Sequence, residues 1–186
     1  EGLGETALDS EPDVWNVAVT GADECSDAAF ARRLYVGRNA LEGAVEERAP
    51  EGSGRFYICS LSRDTIVYKG LLKAEQLRSY YPDLRDARFE STFAMVHARF
   101  STNTLGAWHL AHPYRRIIHN GEFNTIQGNI NWMRARQNDI AHPEFTDRDL
   151  DTVRPIIDDP EQSDTASVDN ALELLLETGR DLPHAL

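Results

Sequence analysis

The sequence predicts a mixed α/β layered domain, and three observations point to that fold class. Of its 186 residues, 41% are hydrophobic and 9% are aromatic, which is enough for a core and too apolar for an intrinsically disordered chain. Segments rich in strand-forming residues lie in the middle of the chain, with hairpin-like spacing. Segments of helical periodicity flank them, as expected when helices cover a sheet.

The first 70 residues change from a helical to an extended pattern. An apolar patch at residues 14–19 predicts a short strand. Ser26 is a preferred helix N-cap, and the helical pattern that it opens continues to about Arg48. Residues 55–61 and 65–69 are rich in strand formers and are separated by a polar turn, which predicts a β-hairpin.

The middle of the chain contains two further predicted helices and two further predicted strands. Residues 71–81 have helical character, and Pro82 is expected to end that helix. Residues 91–99 form the best strand pattern of the sequence, and residues 115–119 form another. Residues 125–138 are helical in pattern.

The last third of the chain is predicted to consist of a loop followed by a helix. Residues 139–163 are acidic, contain proline and have low hydrophobicity, which predicts a loop. Residues 164–178 have the clearest helical pattern, with Val168, Leu172 and Leu175 at helical spacing.

Charge and cysteine content exclude several classes of protein. The 19 Lys+Arg and 31 Asp+Glu residues give a formal charge of −12, which argues against nucleic-acid binding. No apolar run reaches the ~18 residues that a membrane-spanning helix needs. The 2 cysteines are too few for a disulfide framework or a Cys-rich zinc site. With no signal peptide in the sequence, we expect a cytoplasmic protein.

Residues 1–24 are acidic and contain glycine, and an N-terminal segment at residues 1–27 is expected to precede a domain at residues 28–186. The first residue is Glu rather than Met, and the last residues follow directly on a helical pattern. We therefore expect the sequence to be a piece of a longer protein, incomplete at both ends.

Three positions have residue types suited to chemistry, and each also has an ordinary structural explanation. Arg99 ends a predicted strand; it either holds a carboxylate through two parallel hydrogen bonds or caps the strand at the surface. Asn120 and Gly121 offer two N–H donors for an oxyanion, but Asn-Gly is also a frequent hairpin turn. Asp164 either receives an ammonium group or, like Ser163, caps a helix.

The histidine and cysteine positions give weaker signals. His109 and His112 are three residues apart, but Pro113 and the lack of clustered carboxylates argue against a metal site. Cys59 lies in an alternating pattern typical of a core thiol. Cys25 lies among acidic residues, which would raise the pKa of its thiol and make it a poor nucleophile.

Several motifs in this order resemble the glutaminase domain of the glutamate synthase large subunit, a class II glutamine amidotransferase. The most distinctive are His-Ala-Arg-Phe-Ser-Thr-Asn-Thr at 97–104 and His-Asn-Gly-Glu-Phe-Asn at 119–124. The other matching segments are residues 55–62, 65–70, 74–77, 81–84, 111–115, 128–136 and 162–167. The resemblance covers about residues 28–186.

The resemblance implies a four-layer αββα N-terminal-nucleophile fold, of which this chain would form part, with two antiparallel sheets between layers of helices. It also implies that L-glutamine is bound at both of its charges. Arg99, supported by Thr102, would hold the α-carboxylate, and Asp164 would hold the α-ammonium group. Glu122 would line the same pocket.

The resemblance further implies how the amide of glutamine is cleaved to glutamate and ammonia. Asn120 and Gly121 would form the oxyanion hole. The family's nucleophile is an N-terminal Cys followed by Gly, and neither Cys25 nor Cys59 fits that pattern. We therefore expect the isolated chain to have little or no glutaminase activity.

For the longer parent protein, the resemblance implies FMN, an iron–sulfur cluster and transfer of ammonia to 2-oxoglutarate, which makes L-glutamate. This chain itself is expected to bind no cofactor. The implied partners are downstream synthase domains and a small electron-donating subunit, with no nucleic acid and no membrane. Two alternatives are another class II enzyme, such as an asparagine or glucosamine-phosphate synthase, and a non-catalytic glutamine-binding or interaction module.

Overall fold

A computed structural model describes residues 2–98, 106–119, 123–157 and 162–186, and the regular structure within these ranges is helical. The α-helices of the described residues are α1 (Glu5–Asp9), α2 (Asp27–Glu46), α3 (Ala74–Tyr80), α4 (Gln127–Arg136), α5 (Asp147–Val153), α6 (Asp164–Glu177) and α7 (Leu182–Ala185). Short 3₁₀ helices lie at Pro82–Arg85, Trp108–Leu110 and Gln137–Asp139.

The prediction of an α/β four-layer αββα fold is wrong for the part of the chain that the structure describes. Among the described residues, no strand or sheet is present. The segments predicted as strands are instead turns and irregular backbone. They are residues 14–19, 55–61, 65–69, 91–98 and 115–119, while Arg99, the last residue of one predicted strand, lies outside the described residues.

In three of these segments, residues 55–61, 65–69 and 115–119, the physical reason is that side chains, rather than neighbouring strands, accept hydrogen bonds from the backbone. The Ile58 N–H donates to the Glu42 carboxylate at 2.9 Å, and the Val67 N–H donates to Ser60 Oγ at 3.1 Å. The Arg116 N–H donates to the Asp169 carboxylate at 2.7 Å. Strand propensity depends on packing against a neighbouring strand, and a side-chain acceptor removes the donor that a ladder would use.

The two longest helices confirm their predictions and form the framework of the fold. The Ser26 side chain caps α2 by accepting the Ala29 N–H at 3.3 Å, and the Ser163 side chain caps α6 by accepting the Ala166 N–H at 3.2 Å. α2 packs against both α5 and α6. α6 ends in a Schellman motif, in which Gly179 has φ 86° and the Arg180 N–H donates to the Leu175 carbonyl at 3.2 Å.

The prediction that residues 139–163 form a loop is wrong between Asp147 and Val153. α5 begins with a capping box in which Thr146 and Asp149 satisfy each other's backbone N–H groups. Its apolar side chains enter the main hydrophobic cluster. The buried members of that cluster are Tyr35, Phe145, Leu150, Val153, Ile156, Ile157 and Leu174.

The N-terminal segment lies against the domain rather than apart from it. Trp108 Nε1 donates to the Ala7 carbonyl at 3.1 Å, and Gln76 Nε2 donates to the Gly2 carbonyl at 2.9 Å. The Trp108 ring also packs so closely against Gly70 that any side chain at that position would collide with it. The division of the chain at residue 27 stays a prediction.

Candidate functional site

The first turn of α6 is held in place by two side chains from the segment at residues 114–119. The Tyr114 hydroxyl lies 2.6 Å from Oγ of Ser163, the N-cap of the helix. His119 Nε2 lies 2.6 Å from Thr165 Oγ1. Asp164, between these two anchored residues, is the first residue of the helix and is half-buried.

Three imidazoles meet beside this helix start, and we call His97, His112 and His119 the histidine cluster. The rings of His97 and His112 are stacked, with centroids 4.5 Å apart and planes 25° from parallel. The ring of His119 stands edge-on to His112 at 5.9 Å. His97 Nε2 lies 3.1 Å from the carbonyl oxygen of His119. The cluster therefore joins three chain segments: residues 91–98, the loop after Trp108–Leu110, and residues 114–119.

Hydrogen bonding assigns the proton positions within the cluster. A carbonyl oxygen can only accept a hydrogen bond, so His97 carries a proton on Nε2. This N–H donates a hydrogen bond to the carbonyl oxygen of His119. The Nδ1 atoms of His97 and His112 are buried and have no hydrogen-bond partner within the described ranges. Burial, followed by the nearby His97, His119 and Lys69, lowers the pKa of His112 from 6.5 to about 4. His112 is consequently neutral at physiological pH.

Further along α6, a set of paired charges fastens residues 114–119 to the helix; we call it the Arg–acid network. The Asp169 side chain is fully buried, and it accepts the backbone N–H groups of Arg115 at 3.2 Å and Arg116 at 2.7 Å. Glu173 pairs with Arg115 at 2.9 Å and with Arg38 at 2.7 Å. The members of the network are Arg38, Glu42, Arg115, Arg116, Asp169, Glu173 and Glu177.

Two opposing effects determine the pKa values of the carboxyls in this network: burial raises them, and pairing with arginines and N–H groups lowers them. Burial raises the pKa of Asp169 more than Arg115 and the two backbone N–H groups lower it. Burial likewise raises the pKa of Glu177, against the opposite effect of Arg116. The Nε atoms of Arg38 and Arg116 are buried and have no partner in the part of the chain that the structure describes, although other nitrogens of both groups are ion-paired.

Lys69 is a buried cation that the sequence analysis missed. Its side chain is 6% exposed, Nζ donates to the His109 carbonyl at 2.7 Å, and the ammonium lies 4.8 Å from the centre of the Tyr114 ring. Burial lowers the pKa of Lys69 from 10.5 to about 8. A strand-like pattern around residue 69 gave no sign of it, because an alternating pattern places a lysine on the solvent side.

Of the residues predicted to bind or process glutamine, only Asp164 lies within the described ranges. Arg99, Thr102, Asn120, Gly121 and Glu122 lie outside the described residues. Their described neighbours in the sequence, however, come together. His97 lies two residues before Arg99 and contacts His119, which directly precedes Asn120, and His119 in turn contacts Thr165, which directly follows Asp164.

Cys59 was predicted to be a core thiol and Cys25 a poor nucleophile, and the structure gives a physical reason for low reactivity at Cys59. Burial raises the pKa of the Cys59 thiol above its usual value, despite the nearby Lys69. Cys25 is half-buried, and both thiols are free.

The described residues do not form a metal or iron–sulfur site. Within the described ranges, no group of three or more His, Cys, Asp or Glu side chains is arranged to hold a metal ion. Iron–sulfur clusters are held by sets of Cys thiolates, and the 2 cysteines of this chain do not suit one. The described residues therefore do not fit the implied cluster, and no described residue is assigned to FMN. No described helix is long and apolar enough to cross a membrane.

Comparison with known proteins decides the family. The family model described as "Glutamine amidotransferases class-II" matches residues 1–186. The chain belongs to the class II glutamine amidotransferases. The match to this class II domain includes residues 1–27, which the motif comparison had left outside.

Individual relatives of this class II domain are glutamate synthase large chains. The chain is 43% identical over 181 residues to the glutamate synthase [NADPH] large chain of Azospirillum brasilense, and 44% identical over 184 residues to that of Bacillus subtilis (strain 168). It is 42% identical over 184 residues to the ferredoxin-dependent glutamate synthase of Spinacia oleracea. These alignments cover 97%, 98% and 99% of the chain, which spans 12%, 12% and 11% of the length of the three relatives.

Proposed function

We propose that this chain supplies the glutamine-binding side of a glutaminase site, in which Arg99 and Asp164 hold the two charges of L-glutamine and Asn120 and Gly121 stabilise the oxyanion. Thr102 supports Arg99, and Glu122 lines the pocket. The carboxylate and ammonium of glutamine then each meet a group of opposite charge, which fixes the orientation of the amide.

One observation carries this proposal: the described residues beside Arg99, Asn120 and Asp164 lie in contact. The link from His97 through His119 to Thr165 consists of two contacts of 3.1 and 2.6 Å. Residues that are far apart in the sequence are thereby tied together at positions next to the proposed ligands. If Arg99, Asn120 and Asp164 were only a strand end, a hairpin turn and a helix cap, there would be no reason for their neighbours to converge.

The proposal assigns the attacking thiol to neither Cys25 nor Cys59. Burial raises the pKa of the half-buried Cys59 thiol, and Cys25 is not followed by the glycine that follows the family's nucleophile. A diazo-ketone analogue of glutamine alkylates the attacking thiol of a glutaminase. The test is to treat the native polypeptide, purified from its source, with this reagent and to map the labelled peptides. We expect label on a cysteine other than these two. Label on Cys59 or Cys25 would contradict the assignment.

For the whole protein, we propose glutamate synthesis from glutamine-derived ammonia and 2-oxoglutarate, with FMN, an iron–sulfur cluster and electron-donating partners outside this chain. The names of the relatives support this proposal. A cytoplasmic location belongs to the same proposal. The non-catalytic alternative predicts that the native polypeptide binds glutamine and releases no ammonia.

The direct test of the binding site is the affinity of the native polypeptide for L-glutamine, measured by titration calorimetry. Asp164→Asn removes the partner of the ammonium group, and we expect it to raise the Kd at least about tenfold. Asp147 is the matched control, because it is also the first residue of a Ser/Thr-capped helix, α5, but is exposed, whereas Asp164 is half-buried. Asp147→Asn is expected to leave the Kd unchanged. Equal effects of the two variants would contradict the proposed role of Asp164.

A further inference from the structure

We propose that His119 is a positioning residue for glutamine recognition, which acts by holding the first turn of α6 at a fixed distance from residues 91–98. The inference rests on the proposed function, because it concerns the geometry of the same site. His119 would not contact the substrate. It acts through Thr165 on one side and through His97 on the other.

The contacts of His119 suit this role because they use both its side chain and its backbone. Its imidazole contacts Thr165 Oγ1 at 2.6 Å, and its carbonyl oxygen accepts a hydrogen bond from His97 Nε2 at 3.1 Å. The ring is further confined by edge-on packing against His112 and Phe123, at 5.9 and 5.2 Å. One residue thus fixes three segments relative to one another.

The composition of the histidine cluster indicates a role beyond stability. None of the three histidines belongs to the main hydrophobic cluster, whose buried members come from α2, α5, α6 and the chain around α5. Among the described residues, the Nδ1 atoms of His97 and His112 are buried without partners, which costs stability relative to an apolar or fully bonded arrangement. Unfavourable polar burial that is retained at a convergence of segments is typical of a functional site.

Paired substitutions at Thr165 test the inference with little change of volume. Thr165→Val removes the hydroxyl that His119 contacts, whereas Thr165→Ser keeps it. We expect Thr165→Val to raise the Kd of the native polypeptide for L-glutamine about tenfold, and Thr165→Ser to stay within about twofold of the unaltered protein. Thermal unfolding of both variants verifies that they are folded.

Substitutions at His119 provide a second, independent comparison. The Gln amide nitrogen reaches about as far as the imidazole Nε2, whereas the Asn amide is shorter. We expect His119→Gln to bind glutamine more tightly than His119→Asn. If the two residues act through one contact, the double variant His119→Asn, Thr165→Val binds about as weakly as either single variant.

The outcomes separate the inference from the proposed function. His184→Asn is the control, because this histidine is exposed on α7, outside the cluster. If the unaltered polypeptide and this control bind glutamine but Thr165→Val binds equally well, the positioning role is wrong and the proposed function stands. The positioning role would also be wrong if the effects of His119→Asn and Thr165→Val on the Kd multiply in the double variant. If the unaltered polypeptide binds no glutamine, the proposed function fails, and the inference fails with it.

Discussion

The two ends of α6 carry polar groups of opposite electrostatic design. Toward its C-terminal end, the Arg–acid network sets three arginines against four carboxylates, with ion pairs as short as 2.7 Å. At its first turn, beside Asp164, the histidine cluster brings three imidazoles together, and the neighbouring groups that shift the pKa of His112 are all basic. One end is built from ion pairs, whereas at the other end burial keeps the His112 ring neutral.

The difference separates two tasks that the same helix performs. The network fastens residues 114–119 to α6, because its buried carboxylate takes two backbone N–H groups that would otherwise be unpaired. The histidine cluster instead connects the helix start to two other segments through single contacts, His119 with Thr165 and His97 with the His119 carbonyl. We infer that the stability of this region comes from the network and that the cluster sets the geometry of the proposed glutamine site.

The largest expected effect follows from Asp169→Asn. The amide still accepts one hydrogen bond, but its NH₂ group faces the second backbone N–H, and Arg115 loses a buried charge partner. Breaking a buried pair by changing one partner costs about 3 kcal/mol. We expect the free energy of unfolding, measured with urea, to fall by that amount.

Asp151 is the control for this prediction, because it forms an ion pair of 3.0 Å with Arg154 but its side chain is 73% exposed. Asp151→Asn is expected to change the free energy of unfolding by less than about 0.5 kcal/mol. Similar losses in the two variants would mean that burial does not distinguish the network from a surface pair.

A smaller effect is expected from the titration of His112. The pKa of His112 is about 4 in the folded protein and near 6.5 in the unfolded chain, so the unfolded chain binds more protons between these values. Stability is therefore intact above pH 6.5 and is lost as the pH falls toward 4. Because His112 is only half-buried, solvent screening reduces the expected loss to about 1–2 kcal/mol.

The measurement is urea unfolding at several pH values between 7 and 4.5 for the unaltered chain and for His112→Asn. Asp169 and Glu177 have the opposite effect on stability. Burial raises the pKa of both carboxyls, so their protonation at low pH favours the folded state. These carboxyls are common to both proteins, so the difference between the two curves isolates His112. If stability depends on pH in the same way in both proteins, the titration of His112 does not affect folding and the prediction is wrong.

The sequence predicted helices better than extended segments, for reasons visible at particular residues. Ser26 and Ser163 are local caps, and a cap acts within one turn of its own helix. The predicted strands needed partners that the sequence cannot name. In residues 91–98, Phe93 and Val96 are 71% and 73% exposed, so the apolar pattern that predicted a strand is not buried by the described residues.

The candidate site shows the same limit. The resemblance identified Asp164 together with residues outside the described ranges, but the importance of Asp169 and Lys69 depends on distant neighbours. Asp169 is 53 residues from its partner Arg116, and nothing in a local pattern reveals that a charged position on α6 is buried. The sequence did not predict α5, although Thr146 and Asp149 form a recognisable capping box. The acidic residues around its apolar ones give the segment a low hydrophobicity, which is typical of a loop.

The smallest expected effect comes from Tyr114→Phe, which tests the boundary between the two ends of α6. The Tyr114 hydroxyl bonds the Leu110 carbonyl at 3.1 Å and Ser163 Oγ at 2.6 Å, but Ser163 still caps the Ala166 N–H without it. We expect a loss of about 1 kcal/mol in the free energy of unfolding.

Tyr68→Phe is the matched control, because its hydroxyl donates to Asp83 at 2.8 Å at an exposed site, where water replaces the bond. If Tyr114→Phe costs as much as Asp169→Asn, the first turn of α6 is itself a main source of stability, and the division of tasks along the helix is wrong. A small loss of stability combined with weaker glutamine binding would instead place Tyr114 with the histidine cluster, since it would then act on the geometry of the helix start rather than on the fold.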